Sequence, residues 1–181
     1  MAHLKRHFFI SMTNDELFEL LKTELYTAAN KYATLLNHTI LFSSENFKNQ
    51  TNYIIKFYPT NFLHLTGLKT KLNPKLFFEK CLKNNLNQID LNNFSKNNYR
   101  RLIKGKLYAL NQIDLYFYQE LNVQEDFERN TVICSIATSD GIKTIGFAKA
   151  NKVCVPKTIL NKNKLDPLKC IYKVTPIIKN N

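Results

Sequence analysis

Glycine is almost missing from this chain of 181 residues, which has only Gly67, Gly105, Gly141 and Gly146. A loop that cradles phosphates with its backbone needs several glycines within a few positions, so P-loop and dinucleotide-binding readings are excluded. Neither a G-x-S-x-G elbow nor an H-E-x-x-H helix occurs, which removes two large hydrolase classes. Carboxylates are also scarce, 14 Asp and Glu against 26 Lys and Arg, and they do not gather in the apolar segments. A nuclease that holds two metal ions between carboxylates is therefore disfavoured. Cysteine is present four times, as Cys81, Cys134, Cys154 and Cys170, without a C-x-x-C pair or a histidine at metal-ligand spacing. That excludes a structural zinc site and predicts buried free thiols in a reducing compartment. No metal and no cofactor is expected. No apolar run approaches the eighteen or so residues of a membrane span. Met1–Met12, with basic residues ahead of Phe8, Phe9 and Ile10, is too short for the apolar part of a signal peptide. A cytoplasmic protein with no membrane partner is the expectation.

What is present is bulk and positive charge. With 44% hydrophobic residues, 13 Phe and 9 Tyr, the chain can fill a core without staples. One domain over residues 1–181 is expected, with 1–12 as a mobile N-terminus. The formal charge is +12 and it is unevenly spread. Lys69 to Lys106 holds ten Lys or Arg and two acids, and Ile142 to the end holds nine Lys and one acid. Leu107 to Glu128 holds five acids and no Lys or Arg. Such a sign change predicts a basic face opposed by an acidic one, and the excess attracts polyanions, chiefly nucleic acid or an anionic membrane face.

Thr13-Asn14-Asp15-Glu16 is a capping-box pattern. Leu17, Leu20, Leu21, Leu25, Ala28, Ala29, Tyr32 and Leu36 then recur at helical spacing, predicting a helix to about Asn37. Strands are predicted near Thr39–Ser43 and Asn52–Tyr58, and a helix opening at Asn73-Pro74. A long helix is read over Ser95 to Leu121 from the spacing of Tyr99, Leu102, Ile103, Leu110, Ile113 and Phe117. Val132–Thr138 and Lys143–Ala148 flank Ser139-Asp140-Gly141-Ile142, a hairpin signal. Lys152–Lys157 and Lys169–Ile177 complete a meander. Helices first and strands last predict an α+β fold, with the N-terminal and central helices packed on an antiparallel sheet.

The chemistry left open is that of histidine, hydroxyls and cations. RNA is cut without metal when a base takes the 2′-OH proton, an acid protonates the leaving 5′-oxygen, and cations hold the charge on phosphorus. His64 is the candidate for proton transfer because imidazole titrates near neutrality. Thr66 can donate to a phosphate oxygen, and Lys69 and Lys71 can neutralise it. Arg100 and Arg101 can add a phosphate fork. Ser139 and Lys143 are further substrate-binding candidates in the hairpin. Tyr58, Tyr99 and Tyr108 can stack on unpaired bases or serve the core. His3 and His7 stand at i, i+4, a spacing open to a metal or to a frayed, solvated terminus.

Phe62-Leu63-His64-Leu65-Thr66-Gly67-Leu68, followed by Phe77-Phe78-Glu79-Lys80-Cys81, resembles the signature of a phage-associated nuclease family. Its name joins barnase, EndoU, the tRNase colicins and RelE (BECR). Thr144-Ile145-Gly146-Phe147 and Val155-Pro156-Lys157-Thr158-Ile159-Leu160 resemble the family's closing strands. The similarity runs from about residue 13 to 178. It implies helices packed on an antiparallel sheet, metal-independent RNA cleavage, and a phage or mobile-element setting directed against host RNA or rival elements. It strengthens His64, with Lys69 following in the matching motif. A host protein or a cognate antidote is an expected further partner. The alternative is a non-catalytic basic module that binds nucleic acid or protein, such as a phage inhibitor of a host defence enzyme.

Overall fold

The computed structural model describes residues 12–180, apart from Asn93 and the side chain of Arg100. The expectations for the start of the chain and for His3 and His7 fall outside those residues. Helix α1 spans Asn14–Ala33, and Thr13 caps it through the reciprocal contact with Glu16 that the sequence predicts. Its buried stripe is Leu17, Phe18, Leu21, Leu25, Ala28, Ala29 and Tyr32. Two short helices follow, α2 over Phe62–Thr66 and α3 over Pro74–Leu82, the latter capped by the Asn73 side chain on the Leu76 N–H at 2.9 Å. Next comes a composite helix, α4, made of an α-turn at Lys96–Asn98, a π-helical segment Tyr99–Ile103 and an α-helical segment Lys104–Leu110.

Among the described residues, eight strands form one sheet in the order β7-β3-β4-β5-β6-β2-β1-β8. They are β1 His38–Ser43, β2 Asn52–Lys56, β3 Leu121–Arg129, β4 Val132–Ser139, β5 Thr144–Ala150, β6 Val153–Leu160, β7 Tyr172–Val174 and β8 Ile177–Asn180. The α+β class holds, with one departure from the expected sheet. β2 and β6 run parallel, meeting at Ile55 and Cys154, while the other neighbouring pairs are antiparallel.

The sheet has to curl. β7 and β8 stand at opposite ends of the strand order, yet only Thr175 and Pro176 separate them in sequence. Three Cα–Cα steps reach at most about 11 Å, whereas eight flat strands would put the edges roughly 34 Å apart. Contacts across the seam join the two halves. Phe47, between β1 and β2, packs edge-on against Tyr172 of β7 at 5.1 Å. The Glu125 carboxylate of β3 accepts the Lys48 and Asn49 N–H groups at 2.6 and 3.0 Å, and the Tyr53 hydroxyl of β2 at 2.5 Å.

One large core lies between the helices and the sheet. Phe117 sits near its centre, with ring contacts to Phe42, Phe57, Tyr116 and Phe147. A smaller cluster of Phe127, Cys134, Ala137 and Leu165 lies beneath the segment after β6. That segment is pinned where Lys164 N–H donates to Thr144 Oγ1 at 2.8 Å and Asp166 N–H donates to Gln124 Oε1 at 2.7 Å. Three thiols are buried as expected, and burial pushes Cys81 up to about 12 and Cys134 up to about 11. Cys170 departs from the expectation and is exposed.

Candidate functional site

The motif around His64 folds as a single helical turn because three of its residues have apolar partners below. Phe62, Leu65 and Thr66 are buried, spaced three and four positions apart on one face. Phe62 packs against Tyr32, Phe77 and Phe78 at centroid distances of 5.3, 6.1 and 5.1 Å. His64 lies off that stripe and is exposed. The imidazole is thus held on a short element whose other face is locked into the core.

Gly67 ends the helix in the left-handed conformation, φ +74°. A Cβ here would come within 2.9 Å of Lys106 Cδ and 3.3 Å of its Cε, so α4 approaches as closely as the missing side chain permits. The Lys106 stem is largely enclosed, and desolvation lowers the pKa of its amine. Among the described residues it makes no ion pair. Beside it is a shallow cavity of about 200 Å³, lined by Gly67, Leu68, Lys69, Asn92, Phe94, Asn98, Leu102 and Ile103. One wall is the π-helical segment, where Lys104 N–H reaches back to Tyr99 O. π-helical turns are rare and concentrate at functional sites.

The floor is fixed by Asp90. Thr70 bridges Leu91, Asn92 N–H donates to Lys69 O at 2.9 Å, and Lys71 N–H donates to Asp90 O at 3.2 Å. Burial raises the Asp90 carboxyl, but the Lys80 ammonium at 2.8 Å and the Asn87 N–H at 2.9 Å outweigh it, and the net shift is downward.

The predicted site residues separate into two groups. His64, Lys69, Lys71 and Arg101 are exposed, on α2, on the strand-like segment after it and on the π-helical segment. Lys69 lines the cavity. The Arg100 side chain lies outside the described residues. Thr66, Ser139 and Lys143 do not join them. Thr66 is fully buried, its hydroxyl donating to Leu63 O at 2.8 Å and accepting from Leu68 N–H at 3.1 Å, so it caps α2 rather than facing a phosphate. Ser139 is likewise buried within the β4–β5 turn, bonded to Lys143 O and Gly141 N–H. The Lys143 ammonium is buried between Asp140 and Gln112, 3.0 Å from each, and so is committed to the turn. Tyr99 is buried too, its hydroxyl donating to Glu24 at 2.7 Å, and cannot stack on a base; Tyr58 and Tyr108 remain exposed. Lys106 was not singled out by sequence. Only the fold shows that it meets Gly67, 39 positions earlier (106 − 67).

Among the described residues no three His, Cys, Asp or Glu side chains converge as a metal site would require. Nor is any helix among them long and apolar enough to cross a membrane. Comparison with curated proteins and with solved structures finds no match. A family model described as "phage-Barnase-EndoU-ColicinE5/D-RelE like nuclease4" matches residues 24–181, which takes in α2, the cavity beside it and the whole sheet. The chain belongs to that nuclease family.

Proposed function

We propose that the protein is a metal-independent endoribonuclease of a phage or mobile element, with its site at the α2–α4 junction. The observation that carries this reading is an exposed imidazole on a short helical turn, close in the chain to Gly67 and Lys69, which line a cavity, with the Lys106 stem packed against Gly67. The 2′-oxygen attacks phosphorus, the bond to the 5′-oxygen breaks, and the products are a 2′,3′-cyclic phosphate and a 5′-hydroxyl. His64 takes the 2′-OH proton, and the leaving 5′-oxygen takes a proton from water. Lys69 and Lys106 hold the charge on the equatorial oxygens, with Lys71 and Arg101 along the path of the strand. Exposed Tyr108 and Tyr58 offer faces for unpaired bases. The net charge of +12 supports a polyanionic substrate.

Incubation of the full chain with end-labelled RNA in EDTA tests this. Wild type should leave cyclic phosphate ends, and His64→Ala should cleave at least about a hundredfold more slowly. RNA that is bound but never cut would mark a non-catalytic binder. If tRNA, rRNA and mRNA all stay intact, the nuclease reading falls.

A further inference from the structure

A second cavity is larger than the one beside α2. It has a volume of about 500 Å³ and opens between the β1–β2 loop and the β5–β6 hairpin, lined by Asn49, Gln50, Asn52, Ser135, Lys149 and Lys152 among others. Its size falls among small-ligand sites. It exists because of the one parallel pairing. β2 and β6 meet only at Ile55 and Cys154, so the Asn52 end of β2 leaves its neighbour and a gap opens. The neighbouring antiparallel pairs keep longer registers and close.

The polar part of the lining is mostly amide, hydroxyl and ammonium, and Tyr53, Ile54, Val153 and Cys154 supply an apolar part on which a base can rest. Asn151 takes φ +56° and turns the hairpin, so that Lys149 and Lys152 stand close together at its tip. Both are exposed, and neither forms an ion pair among the described residues. The cavity's one carboxylate, Asp126, is held by the Asn49 amide at 2.9 Å. Two unpaired cations over a bed of amides match a phosphate with a base attached. The amides can bond to base edges and the ammonium groups can neutralise the phosphodiester.

We infer that this cleft is a nucleotide-binding subsite for single-stranded RNA, remote from His64. It deepens the nuclease reading and rests on it for the identity of the substrate. The cavity lies at the Asn52 end of β2, and α2 follows the Lys56 end. The strand alone separates those ends by about 13 Å. No single phosphate serves both, so a strand several nucleotides long is needed to fill them together.

The test uses a fluorescent uridine dodecamer with 2′-O-methyl riboses, which lacks the attacking hydroxyl and stays whole. Lys149→Ala/Lys152→Ala should weaken binding about tenfold and reduce the slope of log affinity against log salt by about 1.4, two single-strand phosphates' worth. Lys149→Arg/Lys152→Arg should restore the slope. Lys162→Ala/Lys164→Ala removes the same charge from the segment after β6 and should weaken binding clearly less. An alanine pair that binds within twofold of wild type overturns the subsite. So does a control pair that loses as much, or a dodecamer that wild type does not bind. Cleavage of ordinary RNA is scored separately. Binding lost in the alanine pair while wild type cuts nothing supports the subsite and removes the nuclease; cleavage with unchanged binding does the reverse.

Discussion

Gly67 and Lys106 have to be considered together. Any side chain at 67 meets two penalties, a left-handed backbone and the Lys106 stem. The first costs about 1–2 kcal/mol for alanine. The second falls on the end of a flexible side chain, which can move aside and carry its ammonium with it. Gly67→Ala should therefore lose little more than the backbone strain in stability and disproportionately more in cleavage. In a Lys106→Ala background the same change should leave only the backbone penalty, a coupling that a double-mutant cycle measures. Lys106 itself carries a desolvation cost. Because its folded pKa lies below the ordinary 10.5, the native state binds fewer protons, and stability rises with pH from the folded value up to 10.5. Lys106→Met should abolish that alkaline rise, leave thermal stability equal or higher, and lower the rate of RNA cleavage. A variant that melts earlier and cleaves normally would make Lys106 structural. Of the proposed site, His64 and Lys69 stand out in the sequence through local pattern, and the fold leaves both exposed. The sequence could not reveal Lys106, since no local signal announces a contact across 39 residues (106 − 67). Thr66, Ser139 and Lys143 were misjudged because hydroxyls and ammonium groups read alike in sequence whether they face solvent or close a turn.

Among the elements, the Asp90 clamp sets where the segment after α2 lies. Asp90→Asn should cost about 1.5–3 kcal/mol, the range for a hydrogen bond to a charged partner. The sign of its pH dependence follows from the lowered pKa. The stabilisation is complete above the ordinary value of 3.8 and is lost as pH falls through the lower folded value. The melting-temperature gap between wild type and Asp90→Asn should be widest near neutrality and close below pH 3.8. A gap that persists in strong acid would assign the role of Asp90 to packing. Elements with their own punctuation were legible: α1 by its capping box, α3 by Asn73-Pro74, the β4–β5 hairpin by Asp140-Gly141. β3 was not. Ile113 and Phe117 continue the α4 spacing and are buried, but they enter the core from turns, with no proline or glycine to mark the break. Glu125 and Gln124 also hid the strand, because acids and amides on a strand imply solvent, and here both are buried. The last predicted strand is two, divided at Thr175-Pro176, and they sit on opposite edges.

For the molecule as a whole, the expected acidic face is only partly taken up by the fold, since Glu120, Asp126 and Glu128 stay exposed. Of the acids between Leu107 and Glu128, Asp114 pairs with Lys31 at 2.6 Å, Glu120 with Lys173 at 3.7 Å, and Glu125 is buried at the seam. Basic charge is left in excess outside, while one carboxylate ties the curled sheet together. Glu125 accepts from two backbone N–H groups and a buried tyrosine hydroxyl, all from the stretch 48–53. Without it, Tyr53 is left with a buried donor, and the β1–β2 loop loses its hold on β3. Glu125→Ala should cost at least about 2 kcal/mol, since a stranded buried donor alone costs about 1–3. Tyr53→Phe removes that donor together with one bond and should cost less. The two losses should not add: Tyr53→Phe in the Glu125→Ala background should recover stability, because the orphaned hydroxyl goes with it. Hydrogen exchange should show the loss as faster exchange at Lys48 and Asn49 ahead of the β4–β5 hairpin. Uniform loss of protection across the sheet, with additive energies, would mean that the seam is closed by the Phe47–Tyr172 contact and the short β7–β8 connection, and not by Glu125.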